Sequence, residues 1–147
     1  RAHQWFGNSV GVAGWRHIWL SEGFACYSEW IWSEVSGGPS AHERAQSYHA
    51  KIAALPQDIR VADPGPELMF DDRIYKRGAL TVHALRLTVG DEAFFNLVRE
   101  WTALKQHGVA TTEEFIAHAE ESTGKPLGAF FAAWLDGLEL PALPVRS

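Results

Sequence analysis

A histidine and a glutamate near the start of the chain constrain its fold more than any other feature. His3 begins the run His-Gln-Trp-Phe-Gly-Asn, and Glu22 stands in the phrase Trp-Leu-Ser-Glu-Gly-Phe-Ala, with eighteen residues between them. Imidazole nitrogens and carboxylate oxygens are two of the ligand types that a catalytic zinc ion takes. The stretch from His3 to Glu22 therefore indicates half of a zinc site, which requires the two segments to lie together.

These phrases resemble the aminopeptidase N-type zinc aminopeptidases of the gluzincin clan. In that family the motif His-Glu-x-x-His is followed, after eighteen residues, by a glutamate that completes the ligand set. The resemblance implies that His3 is the second histidine and that Glu22 is the third zinc ligand. Arg1 and Ala2 then occupy the two x positions, and the first histidine and the general-base glutamate would precede Arg1. With two of three ligands, the chain by itself is expected to hold its one zinc ion weakly or not at all.

A second cluster of residues supports the same family. The run Ile-Tyr-Lys-Arg-Gly-Ala-Leu at 74–80 resembles the family phrase Tyr-x-Lys-Gly, with Arg77 where lysine is common. The tyrosine of that phrase stabilises the transition state, so the resemblance implies that Tyr75 donates a hydrogen bond to the developing oxyanion. Such a positioned donor contributes roughly 3 kcal/mol, or about a hundredfold in rate.

Glu29 has two interpretations. It lies seven positions after Glu22, two helical turns on and on nearly the same face. In the family, an acidic residue here orients a zinc-ligating histidine through its other ring nitrogen. The alternative is a solvated glutamate on an amphipathic helix, and the sequence leaves both open.

Helical spacing of apolar residues and capping residues predict a mainly α chain with about six helices. The predicted helices cover residues 21–36, 40–54, 72–89, 91–105, 111–124 and 127–136. Ser21 is the expected N-cap of the first, which would place Glu22 in its first turn. A capping box between Thr111 and Glu114 is expected to begin the fifth helix, and Gly124 is expected to end it. Residues 1–8 are predicted to end a helix, 9–18 and 55–70 to form loops, and 138–146 to run extended, with room for a residual strand. The resemblance implies that residues 1–147 are the helical half of a thermolysin-like (gluzincin) catalytic domain.

Composition narrows the classes of partner. The net charge of −5 is spread without a basic run, which argues against nucleic acid and anionic membrane surfaces. No stretch is long and apolar enough to span a bilayer.

The single cysteine, Cys26, excludes an intrachain disulfide and is expected to be a buried thiol. The remaining histidines are interpreted as packing or surface residues. The compartment is left open, with the cytoplasm favoured.

The leading hypothesis is part of a zinc aminopeptidase that removes N-terminal residues from peptides. Its partners would be the peptide substrate and the upstream domains of the same parent protein, and the chain alone is expected to be inactive. A second hypothesis is a non-catalytic helical fragment or interaction module with an incomplete zinc site. A third is a related gluzincin that hydrolyses an epoxide or cleaves peptides internally.

Overall fold

The computed structural model describes residues 11–12, 18–57, 72–104 and 109–144, most of which are helical. The helices are α1 (Ile18–Val35), α2 (Ala41–Ala53), α3 (Asp72–Val89), α4 (Asp91–Leu104), α5 (Thr112–Thr123) and α6 (Gly128–Phe131), and α6 continues into a π-helical turn, Ala132–Asp136. Two strands of two residues each, β1 (Gly11–Val12) and β2 (Val109–Ala110), pair in parallel. The mainly α prediction is confirmed.

The first helix begins earlier than predicted. α1 starts at Ile18, so the N-cap predicted at Ser21 is wrong, and Glu22 lies in the second turn rather than the first. The reason is burial, because Trp19 is 0% exposed and Leu20 1% exposed. Burying one such side chain contributes roughly 1.5–3 kcal/mol, more than the about 1 kcal/mol of a typical cap. Tertiary packing therefore decides where this helix begins.

Other predictions fall partly or wholly outside the described residues. The predicted helix end at 1–8 lies outside them, as do most of the loops at 9–18 and 55–70. Over 138–144, the described part of the predicted extended segment, the chain has no strand. The β1–β2 pair was not predicted, because two-residue strands far apart in the sequence leave no periodic pattern.

Local capping chemistry fixes the ends of two shorter helices. Ser40 caps α2 through a capping box with Glu43, and the predicted box between Thr111 and Glu114 caps α5. In each box the hydroxyl accepts from the backbone N–H three residues on, and the glutamate accepts from the N-cap backbone N–H. Gly124 ends α5 in the left-handed region, with φ 70°. These ends follow from local sequence.

The aromatic core converges on Phe115 of α5. Its ring has edge-to-face contacts with four other aromatic rings, at centroid distances of 5.2–6.2 Å. These rings belong to Trp19 and Phe24 of α1, Trp101 of α4 and Phe131 of α6. One side chain thus joins four helices, and the long α1–α3 pair packs beside this cluster.

Two composition-based predictions can be compared with the structure. Cys26 is a buried thiol, at 6% exposure, as predicted. The longest helices, α1 and α3, have 18 residues each. Within the described ranges, no helix combines the length and apolar character that a membrane crossing needs.

Candidate active site

The predicted site residues fall on two long helices. Glu22 lies in the second turn of α1 and Tyr75 at the start of α3, and both side chains are half-buried. Glu29, two turns further along α1, is exposed. That exposure is compatible with both interpretations of Glu29. His3 lies outside the described residues.

Two glycines bring the Glu22 and Tyr75 segments together. A Cβ atom added to Gly23 would lie 2.9 Å from the carbonyl carbon of Gly78. α1 and α3 therefore meet backbone to backbone at this point. Glu22 is adjacent to Gly23, and Tyr75 is three residues from Gly78, less than one helical turn. Both candidate residues are thus carried close to a single helix–helix contact.

The turn that carries Glu22 is fixed by Trp19. The Trp19 indole N–H donates to the Thr112 hydroxyl at 2.9 Å, in a fully buried environment. Thr112 is the first residue of α5, so this bond joins the beginnings of two helices. Glu22 follows Trp19 by less than one turn and is therefore held on a rigid backbone.

The Glu22 carboxylate near this contact is of a ligand type that zinc binds. Glu22 presents a half-buried carboxylate, an oxygen ligand that zinc accepts, on a rigid helix. His3, the other candidate ligand, lies outside the described ranges. Within those ranges, no three His, Cys, Asp or Glu side chains are grouped so that they could hold a metal ion. The described part thus offers one of the expected ligands.

The structure shows a buried polar network that the sequence did not indicate. The Arg86 guanidinium donates to the Tyr27 hydroxyl at 3.0 Å, and that hydroxyl lies 2.8 Å from Nδ1 of His83. Nε2 of His83 lies 3.0 Å from Nδ1 of His42. Arginine only donates, so the Tyr27 proton is available to His83, whose Nε2–H then donates to His42. His83, expected only as a packing residue, joins α1, α2 and α3.

Charge and burial set the protonation of this network. Burial raises the pKa of Tyr27 to about 12, against the opposing effect of its hydrogen bond from Arg86. Burial also lowers the pKa of Arg86, but hydrogen bonds to Asp91 and Tyr27 outweigh it and leave the pKa above its usual value. Arg86 forms a two-pronged ion pair with Asp91, at 2.9 and 3.2 Å. Tyr27 is therefore a neutral hydrogen-bond donor at ordinary pH.

The sequence signal that could have indicated this network was the three-residue spacing of His83 and Arg86, which places both side chains on one face of α3.

Arg77, next to the candidate catalytic segment, forms hydrogen bonds that hold the fold together. Its guanidinium donates to five backbone carbonyls, at 2.7–3.3 Å. The acceptors lie in the π-helical turn and just after it: Ala133, Trp134, Gly137, Leu138 and Glu139. Burial lowers the pKa of Arg77. The arginine that departs from the family phrase thus ties the last turn of the fold to the Tyr75 helix.

A groove among the described residues lies away from the Gly23–Gly78 contact. It has a volume of about 650 Å³ and runs between α4 and α5, and Glu22 and Tyr75 do not line it. Its lining is mostly polar, with Asp91, Arg99 and Glu100 among its residues. The candidate site is therefore identified by the position of Glu22 and Tyr75 near the α1–α3 contact and not by this groove.

Comparison with known proteins gives a consistent result. The Peptidase family M1 domain model matches residues 1–134. The chain is 30% identical to Aminopeptidase N of Lactococcus lactis subsp. lactis and 29% identical to Aminopeptidase M1-A of Oryza sativa subsp. japonica, each over 99% of this chain and 18% of the relative. The M1 zinc metallopeptidase from Deinococcus radiodurans is similar over 99% of this chain and 33% of that chain, with a TM-score of 0.88 and 35% identity. A mutant of that protein bound to a Tyr-Ser-Ala substrate has the same TM-score, at 36% identity.

The matches cover most of this chain but only part of each relative. The chain spans 18% of the length of these two curated relatives and 33% of the solved structures. The family model, in contrast, covers 134 of the 147 residues of this chain. His3, Glu22, Glu29 and Tyr75 all lie inside the matched region. The resemblance read from the two motif clusters is confirmed, and this chain belongs to peptidase family M1.

Proposed function

We propose that residues 1–147 form the helical part of the catalytic domain of a longer zinc aminopeptidase, which removes N-terminal residues from peptides. His3 and Glu22 would be zinc ligands, and Tyr75 would be a catalytic residue. The observation that carries this proposal is the α1–α3 contact, which brings the segments of Glu22 and Tyr75 together. The aminopeptidase names of the relatives support the reaction class.

The roles of the chain's own residues follow from their chemistry. When bound, zinc would supply Lewis-acid polarisation of the scissile carbonyl and activation of water. Glu22 would hold its carboxylate towards the metal from the rigid second turn of α1. The Tyr75 hydroxyl would donate a hydrogen bond to the oxyanion that develops on the scissile carbonyl. A preorganised donor of this kind lowers the barrier because it is already oriented when the charge forms.

Glu29 would act on the metal only through another residue. In this proposal the Glu29 carboxylate accepts a hydrogen bond from the second ring N–H of a zinc-ligating histidine. That bond fixes the tautomer and the orientation of the histidine ring. Its exposure among the described residues leaves the carboxylate accessible to such a partner. The remaining ligands, the general base and the residues that hold the substrate amine would come from the rest of the parent enzyme.

The proposal is tested with single substitutions in the longer enzyme. Glu22→Gln should abolish zinc binding at stoichiometric metal, measured by elemental analysis after dialysis. Glu29→Gln should weaken zinc affinity by about 10- to 100-fold, as changes in groups that orient metal ligands typically do. Tyr75→Phe should keep its zinc and lower kcat by about 100-fold with an aminoacyl reporter substrate.

The contrary outcomes discriminate between the hypotheses. An enzyme that binds zinc but releases no N-terminal residue would favour a related gluzincin with another substrate. An intact parent protein that binds no zinc would favour the non-catalytic helical module. Full turnover in the Tyr75→Phe enzyme would remove Tyr75 from the mechanism.

A further inference from the structure

We propose that Gly23 and Gly78 are positioning residues, whose backbone contact sets the separation between Glu22 on α1 and Tyr75 on α3. The inference rests on the proposed function, because it assigns these glycines a role in aligning the two catalytic-site residues. Neither glycine touches the substrate in this proposal. Both act through the helices that carry Glu22 and Tyr75.

The contact leaves no room for a side chain on either helix. A Cβ atom on Gly23 would lie 2.9 Å from the carbonyl carbon of Gly78 and 3.1 Å from its Cα and its oxygen. A Cβ atom on Gly78 would lie 3.2 Å from the Cα of Gly23 and 3.2 Å from the carbonyl oxygen of Trp19. Carbon atoms normally pack at about 3.5–4.0 Å. The two helices therefore approach as closely as their backbones allow.

Backbone conformation does not require glycine at either position. Among the described residues, the glycines with positive φ are Gly37, Gly90 and Gly124. Gly23 and Gly78 lie inside helices, where any residue adopts the same φ and where glycine is the poorest helix former after proline. Close approach of the two backbones is the physical reason for glycine at both positions.

Both helices are fixed near this contact. Trp19, which lies one turn before Gly23 on α1, donates its indole N–H to the Thr112 hydroxyl. Arg77, adjacent to Gly78, donates to five carbonyls of the last helical turn and the chain after it. The Thr81 hydroxyl in turn donates to the Arg77 carbonyl, at 2.8 Å. A displacement at the contact is therefore transmitted along α3 to Tyr75 rather than absorbed by a loose segment.

The size of the effect follows from the packing distances. A methyl group at position 78 must move its neighbours by several tenths of an ångström to reach normal contact. A misplacement of about 1 Å in a catalytic group can cost about 100-fold in rate. We expect Gly78→Ala to lower kcat by about 10-fold while zinc content stays stoichiometric. KM should change by less than about threefold, because positioning of Tyr75 acts on the transition state.

A double-mutant cycle in the zinc-loaded longer enzyme tests this directly. Gly78→Ala is combined with Tyr75→Phe, and kcat is measured for all four enzymes. If the glycine acts through Tyr75, Gly78→Ala should cost less than about twofold once the hydroxyl is gone. A purely structural effect would give the same fold-loss in both backgrounds, and that result would overturn the proposal.

Gly128→Ala is the matched control. Gly128 also lies in a helix, but a Cβ atom there meets nothing within 4 Å. Its kcat should equal that of the unmodified enzyme, and a loss comparable to that of Gly78→Ala would overturn the proposal. An unmodified enzyme without aminopeptidase activity would overturn the proposed function and this inference together. An active enzyme whose Gly78→Ala variant keeps full kcat would overturn this inference alone.

A measurement without substitution covers the case in which Gly78→Ala does not fold. Crystal structures of the unmodified enzyme, with and without a bound phosphinic peptide that mimics the tetrahedral intermediate, should show the same Gly23–Gly78 backbone distance. Helices that slide past each other at this point on binding would contradict the proposal, because the contact would then not set the separation.

Discussion

At the scale of single residues, Tyr27 is the centre of the buried polar network. Its hydroxyl accepts from Arg86 and lies next to Nδ1 of His83, so it joins a charged side chain to a histidine pair. Its ring is 3% exposed and packs edge-to-face on Trp30 and Phe94. Removing the hydroxyl would leave two buried polar groups without this partner, and such groups are expensive to leave unpaired.

Tyr27→Phe should therefore lower the free energy of unfolding at neutral pH by about 1–3 kcal/mol, measured by urea denaturation. Tyr48→Phe is the matched control, because the half-buried Tyr48 ring stacks on Trp30 without taking part in this network. The control should change the free energy of unfolding by less than about 0.5 kcal/mol. Equal stability of the Tyr27→Phe variant and the unmodified chain would contradict the role assigned to this hydroxyl.

The raised pKa of Tyr27 predicts how stability depends on alkaline pH. Well below pH 10 the hydroxyl is protonated in both folded and unfolded chains, so it adds no pH dependence. Between pH 10 and about 12 the unfolded chain loses this proton first, and the folded state loses roughly 2–3 kcal/mol of stability. The difference between the unmodified chain and Tyr27→Phe should therefore shrink over this range. A difference that stays constant would show that Tyr27 ionises normally.

At the scale of secondary-structure elements, Arg77 holds the last helical turn in place. The planar guanidinium reaches five carbonyls, two in the π-helical turn and three just after it. No further helical turn follows to supply backbone N–H donors for these carbonyls. The Arg77 guanidinium on α3 supplies hydrogen bonds in their place. A lysine ammonium offers three donors from a single point and does not reproduce this fork.

Arg77→Lys should accordingly lower the free energy of unfolding by about 2–3 kcal/mol, and amides of the π-helical turn should exchange faster with deuterium. Arg99→Lys is the control, since Arg99 is exposed on α4. Its effect should stay within about 0.5 kcal/mol. Unchanged exchange in the π-helical turn of the Arg77→Lys variant would show that the turn is held by packing instead.

At the scale of the whole molecule, Phe115 joins helices that are distant in sequence. Its ring is 0% exposed and is surrounded by aromatic rings from α1, α4 and α6. Phe115→Ala should lower the free energy of unfolding by about 3–5 kcal/mol, because a cavity would remain where several helices meet. Trp32→Ala, at a side chain that is 67% exposed, should cost far less. Similar losses for the two variants, measured by thermal unfolding, would contradict a core centred on Phe115.

Much of this organisation is local and was predictable. The capping box at Thr111 and the glycine stop at Gly124 depend only on residues within a few positions, and both ends of α5 were predicted from them. The box at Ser40 has the same Ser-x-x-Glu signal. The family also followed from short phrases, since the spacing of His3 and Glu22 and the Tyr75 phrase are linear features.

Tertiary structure decided the rest. The start of α1 depends on burial of Trp19 and Leu20 against distant helices, which overrides the capping signal of Ser21. The His83 network and the five carbonyls of Arg77 pair residues 41 to 62 positions apart, and no local pattern encodes such pairs. The sequence by itself determined most of the helices and the family, and it indicated the candidate site residues, because helix signals and motif phrases are short stretches of chain. Only the tertiary structure decided which helix faces meet, because close packing of Gly23 against Gly78 is a property of two helices together.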